Sequence, residues 1–262
     1  MTREICLLFD TTGLNAFTEA ILQEYREAIS DLCDVYAVVH HHGDVRCTDR
    51  DSRVIYLTDS QIFDEVDHHK DTSRGLIPGN PDLKMVRVMR EVPNYRQYIW
   101  IEYDVFCTGN LRSALTSLMA VTRNADFAAS YILPWKQDGW MWWNSLKVPT
   151  HLGREPSAIA VRAFLPLLVF SKRYIDVFQE QLKLGWAGHF EVTMATIASV
   201  CGLQMLDLSK SKPRFTHYPQ FKIKQVAKLE EFVPIFVHPV KTSDARAEIR
   251  KRLAELQRTA MA

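Results

Sequence analysis

The sequence predicts one α/β domain with a mostly parallel central sheet and helices on both faces. Short apolar runs typical of buried strands alternate with amphipathic helical segments through the first half of the chain. Two of these runs, at 5–9 and 98–101, lead directly into segments that carry carboxylates. With 262 residues, of which 47% are hydrophobic and 24% charged, the chain can bury a substantial core in one large domain.

Hydrophobic periodicity and capping residues define the expected elements. Apolar residues at helical spacing predict a helix over 16–32 with Asn15 as its cap. Strands are predicted at 5–9, 35–39, 54–57, 98–101, 127–133 and 163–170, with a last apolar run at 232–237. Further helices are predicted at 82–91, 110–122, 172–184, 190–201 and 245–258. Segment 58–80 is polar and ends in Gly and Pro, and 209–231 is basic, so both are expected to be irregular.

Composition excludes several classes of function. The formal net charge of +1 gives no overall electrostatic basis for binding nucleic acid. Five widely spaced cysteines without a C-x-x-C pair argue against a disulfide framework and a structural zinc site, and favour a reducing, cytoplasmic location. The longest apolar run, 164–170, contains a proline, so neither a signal peptide nor a membrane span is expected.

The most specific feature is a pair of acids at the end of the 98–101 strand. Glu102 and Asp104 are two residues apart, so on an extended chain their side chains point to the same face. Open α/β sheets bind ligands at the carboxyl ends of central strands. Two close carboxylates repel each other and suit a divalent cation, and hard oxygen ligands favour magnesium or manganese. Alternatively, Glu102 and Asp104 could be two solvated acids at the end of a strand. The long apolar run before them favours a metal-binding site.

The segment Glu102-Tyr103-Asp104 is similar to the D-x-D metal motif, and the order of elements resembles nucleotide-sugar glycosyltransferases of the GT-A fold. The resemblance implies that Asp104, with Glu102 in the place of the first acid, binds a Mn²⁺ or Mg²⁺ ion that holds the donor diphosphate. His238, in the segment FVHPVK, is similar to the C-terminal histidine that completes the metal shell. Lys241 then resembles the basic residue that neutralises the diphosphate.

A second segment, 185–203, contains an acid at the start of a predicted helix. By the same resemblance, Glu191 is the acid that contacts or deprotonates the acceptor hydroxyl, and neighbouring His189 shares that task. A carboxylate is also favoured at a helix start by the helix dipole alone, so a purely structural role stays open. The four tryptophans of the predicted long loop 134–156 are expected to hold the acceptor by stacking on sugar rings, or else to form a local apolar cluster: Trp135, Trp140, Trp142 and Trp143.

Weaker candidates belong to the nucleotide pocket and to the surface. Asp10, Thr11 and Thr12 follow the first strand, where such folds bind the nucleoside, while Lys84 and Arg87 either face the phosphates or lie on a solvated helix face. Histidine runs at 40–42 and 68–69 invite a zinc site, but adjacent residues on a strand point to opposite faces. The terminal helix has an apolar stripe and basic residues, so it either packs on the domain, which is favoured, or lies on an anionic membrane surface.

The sequence therefore predicts a metal-dependent glycosyltransferase. It would move a sugar from a nucleoside diphosphate sugar to a hydroxyl of a saccharide or glycolipid. Residues 1–133 would form the nucleotide-binding half of the domain, and 134–262 the acceptor-binding half with the C-terminal helix. A nucleotidyltransferase and a non-catalytic nucleotide- or sugar-binding protein of the same fold stay open as alternatives.

Overall fold

The computed structural model describes residues 3–41, 51–216 and 235–260. Its strands are β1 (Ile5–Thr11), β2 (Asp34–His41), β3 (Val54–Thr58), β4 (Gln97–Glu102), β5 (Phe106–Cys107), β6 (Phe127–Pro134), β7 (Val161–Ser171), β8 (Met205–Asp207) and β9 (Phe236–Val237). Its helices are α1 (Ala16–Ile29), α2 (Asp59–Phe63), α3 (Pro81–Val88), α4 (Leu111–Thr122), α5 (Pro156–Ile159), α6 (Lys172–Lys183), α7 (Phe190–Val200) and α8 (Ser243–Ala260).

Seven strands form the central sheet in the order β3-β2-β1-β4-β7-β6-β8, and β5 pairs with β9 in a separate two-stranded sheet. Within the central sheet only β7 runs antiparallel to its neighbours, so the prediction of a mostly parallel sheet is confirmed. The register pairs Asp10 of β1 with Glu102 of β4. The carboxyl ends of the two central parallel strands therefore lie side by side.

The predicted helices on both faces are also confirmed. Alternate residues of a strand point to opposite faces, so Leu7 and Phe9 of β1 pack with residues of α1 and α4 in one core cluster. Cys6 and Leu8 pack in the other cluster, which contains residues of α3, α6 and α7. Burial of both faces explains why the strands read as continuous apolar runs.

The structure corrects several predicted boundaries. Segment 58–80 is not wholly irregular, because Thr58 and Gln61 form a capping box that starts the short helix α2. The first helix ends at Ile29 rather than at 32, which leaves Leu32 exposed. Strands β5 and β8 and helix α5 were not predicted, since elements this short carry no periodic signal. Residues 217–234, which contain most of the expected basic segment 209–231 and the first part of the apolar run 232–237, lie outside the described residues.

The terminal helix α8 packs on the domain. Ala245 and Ile249 are buried in a cluster with Phe106, Val237 and Val240, while Leu253 and Leu256 pack partly against it. Arg250 stays 58% exposed. The apolar stripe of α8 thus packs against the domain, which is the alternative that the sequence analysis favoured over a membrane surface. In the described ranges, the helices lack the length and apolar composition that crossing a bilayer requires.

Candidate active site

Three potential metal ligands meet at the carboxyl end of β4. Glu102 ends the strand, Asp104 follows two residues later, and His238 lies directly after β9. The β5–β9 pairing brings the C-terminal segment to this edge, and the Val240 N–H donates a 2.8 Å hydrogen bond to the Asp104 carbonyl. The ligating atoms of Glu102, Asp104 and His238 all lie within 4.8 Å of one another. These three side chains form the carboxylate–histidine cluster.

The chemistry of this cluster fits a divalent cation. His238 Nε2 lies 3.2 Å from Asp104 Oδ1 and 3.4 Å from Glu102 Oε2. Asp104 is buried, and in the metal-free protein the positive partner of its Oδ1 is the His238 ring. Two carboxylates this close to each other repel, and a divalent cation would offset that repulsion. Two carboxylates and one imidazole are ligands that Mn²⁺ accepts, and the carboxylates suit Mg²⁺.

Two cations of the chain itself already lie beside these acids. Burial disfavours a charged His238 imidazole, but Asp104 and Glu102 outweigh that effect and raise its pKa to about 9. Lys241 Nζ lies 3.8 Å from Asp104 Oδ2, and its side chain is 63% exposed. A metal ion would compete with the proton on His238 Nε2, whereas Lys241 is free to turn toward a ligand in solvent.

The predicted nucleotide side contains a buried ion pair. Lys84 Nζ lies 2.5 Å from Asp10 Oδ1 and 5.5 Å from the centre of the Trp100 ring. Burial raises the pKa of Asp10, and Lys84 opposes that shift. Thr11 Oγ1 donates to the Gly13 carbonyl at 2.9 Å and shapes the loop on which exposed Thr12 lies. Of the nucleotide-side candidates at β1 and α3, Asp10 therefore lies beside Glu102 in the sheet and Lys84 reaches Asp10 through the ion pair, while Thr11 ends the strand and Thr12 lies in the loop that follows.

Arg87 is the exception among these residues. Its Nε bonds Glu65 at 2.8 Å and its Nη1 bonds Glu91 at 2.7 Å, with the side chain largely buried. The guanidinium therefore ties α3 to the preceding loop, and no contact in the described residues joins it to the carboxylate–histidine cluster. Lys84 and Arg87 are one turn apart on α3, and only Lys84 reaches the end of β1.

The start of α7 faces the cluster through Glu191. Burial raises the pKa of Glu191 to about 8, with a further contribution from Glu102, while Arg162 and His238 oppose it. His189 caps the helix, since its Nδ1 accepts the Glu191 N–H at 3.4 Å and lies 3.8 Å from Glu191 Oε2. Burial lowers the pKa of His189 to about 4, so its ring is neutral at pH 7. Glu191 is largely protonated at that pH unless more positive charge enters the cluster.

The tryptophan loop contributes two rings next to His189. Trp142 stacks on the His189 ring with centroids 4.5 Å apart, and Trp140 meets that ring edge-on at 6.0 Å. Trp143 is only 5% exposed, and its indole N–H donates to Asp138 at 2.9 Å. Its buried ring therefore anchors the loop to the domain. Trp135 continues the β6 edge and is 38% exposed. Of the four predicted tryptophans, the structure brings Trp140 and Trp142 to the start of α7.

Arg162 on β7 is a residue that the sequence analysis missed. Its guanidinium lies 4.9 Å from the Trp140 ring and 5.2 Å from the Trp143 ring, and it pairs with Asp138 at 3.0 Å. It also lowers the pKa of Glu191. An arginine within an otherwise apolar strand was the available signal, because such a charge needs a local partner.

The histidine runs do not form a metal site in the described residues. His40 Nε2 lies 2.8 Å from Asp59, and His69 bonds the Lys183 carbonyl at 3.2 Å. Their partners belong to different elements, as the strand argument against a zinc site predicts. His42 and Asp44 lie outside the described residues.

No family model and no curated protein sequence matches the chain. Among solved structures, it is similar to a glycosyltransferase involved in glycosylation of the major capsid of PBCV-1, with 12% identity, a TM-score of 0.44 and coverage of 96% of this chain and 98% of that one. It is also similar to the galactosyltransferase LgtC in complex with donor and acceptor sugar analogues, with 11% identity, a TM-score of 0.46 and coverage of 97% and 95%. An active-site mutant of LgtC has 10% identity, a TM-score of 0.47 and the same coverage. At these identities and TM-scores the likeness carries no functional assignment.

Proposed function

We propose that the protein is a metal-dependent glycosyltransferase that moves a sugar from a nucleoside diphosphate sugar to a hydroxyl of a saccharide or glycolipid. One observation carries the proposal: Glu102, Asp104 and His238 converge at the end of a central strand, with their ligating atoms within 4.8 Å of one another. Such a ligand set at this edge of an α/β sheet suits a cation that anchors a diphosphate.

On the donor side, Glu102, Asp104 and His238 would hold the Mn²⁺ or Mg²⁺ ion. When bound, this ion supplies Lewis-acid stabilisation of the departing diphosphate. Lys241, exposed and beside Asp104, would add a charge–charge contact to the diphosphate oxygens. Asp10, with the loop of Thr11 and Thr12, would border the nucleoside.

Lys84 and Arg87 have less direct parts in this proposal. Lys84 would act by holding Asp10 in place, because its ammonium is already paired there. Arg87 is left out of the nucleotide site, because Glu65 and Glu91 occupy its guanidinium. A phosphate contact by Arg87 would require both of these ion pairs to break.

On the acceptor side, Glu191 would position or deprotonate the attacking hydroxyl. A base must be ionised, and positive charge at the cluster lowers the pKa of Glu191 toward neutrality. Neutral His189 would orient Glu191 through the helix cap. Trp140 and Trp142 would present aromatic surface to the acceptor ring and exclude water from the donor, while Trp143 would brace their loop and Trp135 would lie at its outer edge.

The test is a panel of nucleoside diphosphate sugars with manganese, assayed for release of nucleoside diphosphate and for binding by calorimetry. We expect slow release with one donor and loss of metal-dependent binding in Asp104→Asn. Asp176→Asn is the matched control, because Asp176 lies on α6 and pairs with Lys172 rather than with the cluster. Unchanged nucleotide affinity in Asp104→Asn would end the metal assignment. Binding without turnover would favour the non-catalytic alternative. Release of a sugar 1-phosphate in place of nucleoside diphosphate would favour a nucleotidyltransferase.

A further inference from the structure

A pocket of about 260 Å³ is lined by His189, whose Nδ1 lies 3.8 Å from Glu191 Oε2. Three segments line it: the loop at 70–80, the end of the tryptophan loop at 142–147, and the turn at 187–189. His189 thus contacts Glu191 through its Nδ1 and also forms part of the pocket wall. If the donor lies on the carboxylate–histidine cluster and Glu191 faces the acceptor, a pocket that shares His189 with Glu191 adjoins the acceptor site.

The turn at 187–189 and the tryptophan loop are held firmly together. A Cβ on Gly188, whose φ is 128°, would come within 2.7 Å of the Ser145 carbonyl oxygen, so the two backbones approach as closely as glycine allows. Lys147 and Ala187 exchange backbone hydrogen bonds of 2.8 and 3.2 Å, and the His189 N–H donates to Ser145 Oγ at 2.9 Å.

The loop at 70–80, which forms the third wall of the pocket, is held in place by a buried ion pair. Lys70 Nζ lies 2.6 Å from Asp82 and donates to the Gly79 carbonyl at 3.1 Å. That carbonyl also accepts the Phe190 N–H at 3.0 Å, which ties the loop to the start of α7. All three walls are therefore preorganised, which lowers the ordering cost of binding a ligand.

The rim of the pocket carries uncompensated positive charge. Arg74 and Lys147 are exposed, and within the described residues neither makes an ion pair at 4 Å or less. Lys70 also lines the pocket, but Asp82 neutralises it. Asp71 is the acid among the lining residues, and hydrogen bonds from Ser73, together with the charges of Lys147 and Arg74, lower its pKa. Two rim cations against one carboxylate leave a net positive charge.

We propose that this pocket binds an anionic group, a carboxylate or a phosphate, carried by the acceptor saccharide beside the ring that Trp142 contacts. The proposal rests on the proposed function, because Glu191 links the pocket to the donor side. The planar guanidinium of Arg74 matches the two oxygens of either anion, and the Lys147 ammonium adds a second donor. Trp142 lines the same pocket and provides the apolar face that sugars need.

The experiment measures binding of three probes by calorimetry: methyl glucuronide, methyl glucoside 6-phosphate and uncharged methyl glucoside. Each is titrated without donor or metal, and again with a nucleoside diphosphate and manganese. The variants are Arg74→Ala, Lys147→Ala and their double. Arg123→Ala is the matched control, because it removes an exposed arginine at the end of α4, outside the pocket. Melting temperatures check that each variant is folded.

We expect at least one anionic probe to bind the wild type about tenfold more tightly than the uncharged probe. Each exposed cation should contribute up to about fivefold, so the double variant should lose this preference while Arg123→Ala keeps it. The tighter anionic probe identifies carboxylate or phosphate as the natural group. Equal affinities for all three probes, no binding in either state, or a preference that survives in the double variant would overturn the proposal. Titrations without donor and metal separate this result from a failure of the glycosyltransferase assignment.

Discussion

The charge state of His238 makes the stability of the metal-free protein depend on pH. Its pKa is raised from the ordinary 6.5 to about 9 in the folded chain, and its side chain is only 18% exposed. A group whose pKa is raised on folding stabilises the protein fully below its unfolded pKa, and this contribution is lost as pH rises through the folded pKa. The shift corresponds to about 3 kcal/mol between pH 6.5 and pH 9.

We therefore expect the melting temperature in chelator to fall by roughly 6–12 °C over this range, since 1 kcal/mol shifts a domain of this size by about 2–4 °C. Glu191 has the same sign, because its pKa is raised from 4.5 to about 8, and its contribution is lost mainly between those values. Thermal unfolding followed at half-unit pH steps measures the sum. The difference between the wild type and His238→Gln in the slope of melting temperature against pH gives the contribution of the histidine. The same difference for Glu191→Gln gives the contribution of the acid.

A metal ion should reverse part of this trend. Binding at His238 Nε2 displaces a proton, so the stabilisation that manganese confers should grow as pH rises toward 9. A melting temperature that is flat from pH 6.5 to 9 in chelator would refute the contact between this imidazole and the two acids as the cause. So would a slope between pH 8 and 9 that is as steep in His238→Gln as in the wild type.

Three further outcomes concern catalysis. Glu191→Gln should leave donor binding intact while transfer falls by about 10² or more, and transfer at the wild-type rate would show that Glu191 is not the base. Trp140→Ala should raise the acceptor KM more than the donor KM, and the reverse pattern would assign this loop to the donor. Arg162→Met removes a charge that lowers the pKa of Glu191, so the acidic limb of the kcat/KM–pH profile, which reports the general base, should move to higher pH; an unmoved profile would separate Arg162 from Glu191.

The position of the candidate site in the sheet followed in part from local sequence pattern. Asp10, Glu102 and Asp104 each follow or end a buried apolar strand, and parallel strands align their carboxyl ends at one edge of a sheet. Local pattern alone predicted that Glu102 and Asp104 share a face, and the sheet register then places Asp10 beside Glu102. His238 came from a resemblance in a short motif, and the structure brings it to 3.2 Å from Asp104 through the β5–β9 pairing, which no local pattern indicated.

Residues that the sequence made equally good candidates for the site have different partners in the structure. Lys84 and Arg87 lie one turn apart on the same helix, but Lys84 pairs with Asp10 whereas Arg87 pairs with Glu65 and Glu91. Trp142 and Trp143 are adjacent in the loop, yet Trp142 stacks on His189 and Trp143 is buried. The spacing of residues in the sequence specifies which side chains lie on the same face of an element. It does not specify which residues of other elements those side chains contact.

The sequence by itself determined the alternation of strands and helices, the apolar faces that cover the sheet, and the acids at its carboxyl edge. These follow from the period of side chains along a strand or helix and from capping, which act over a few residues. Tertiary structure alone decided the partners of Arg162, the buried Lys70–Asp82 pair and the convergence of His238 with the acids. Such contacts join distant segments, and they depend on how whole elements pack because that packing sets both the distance and the burial of each charge.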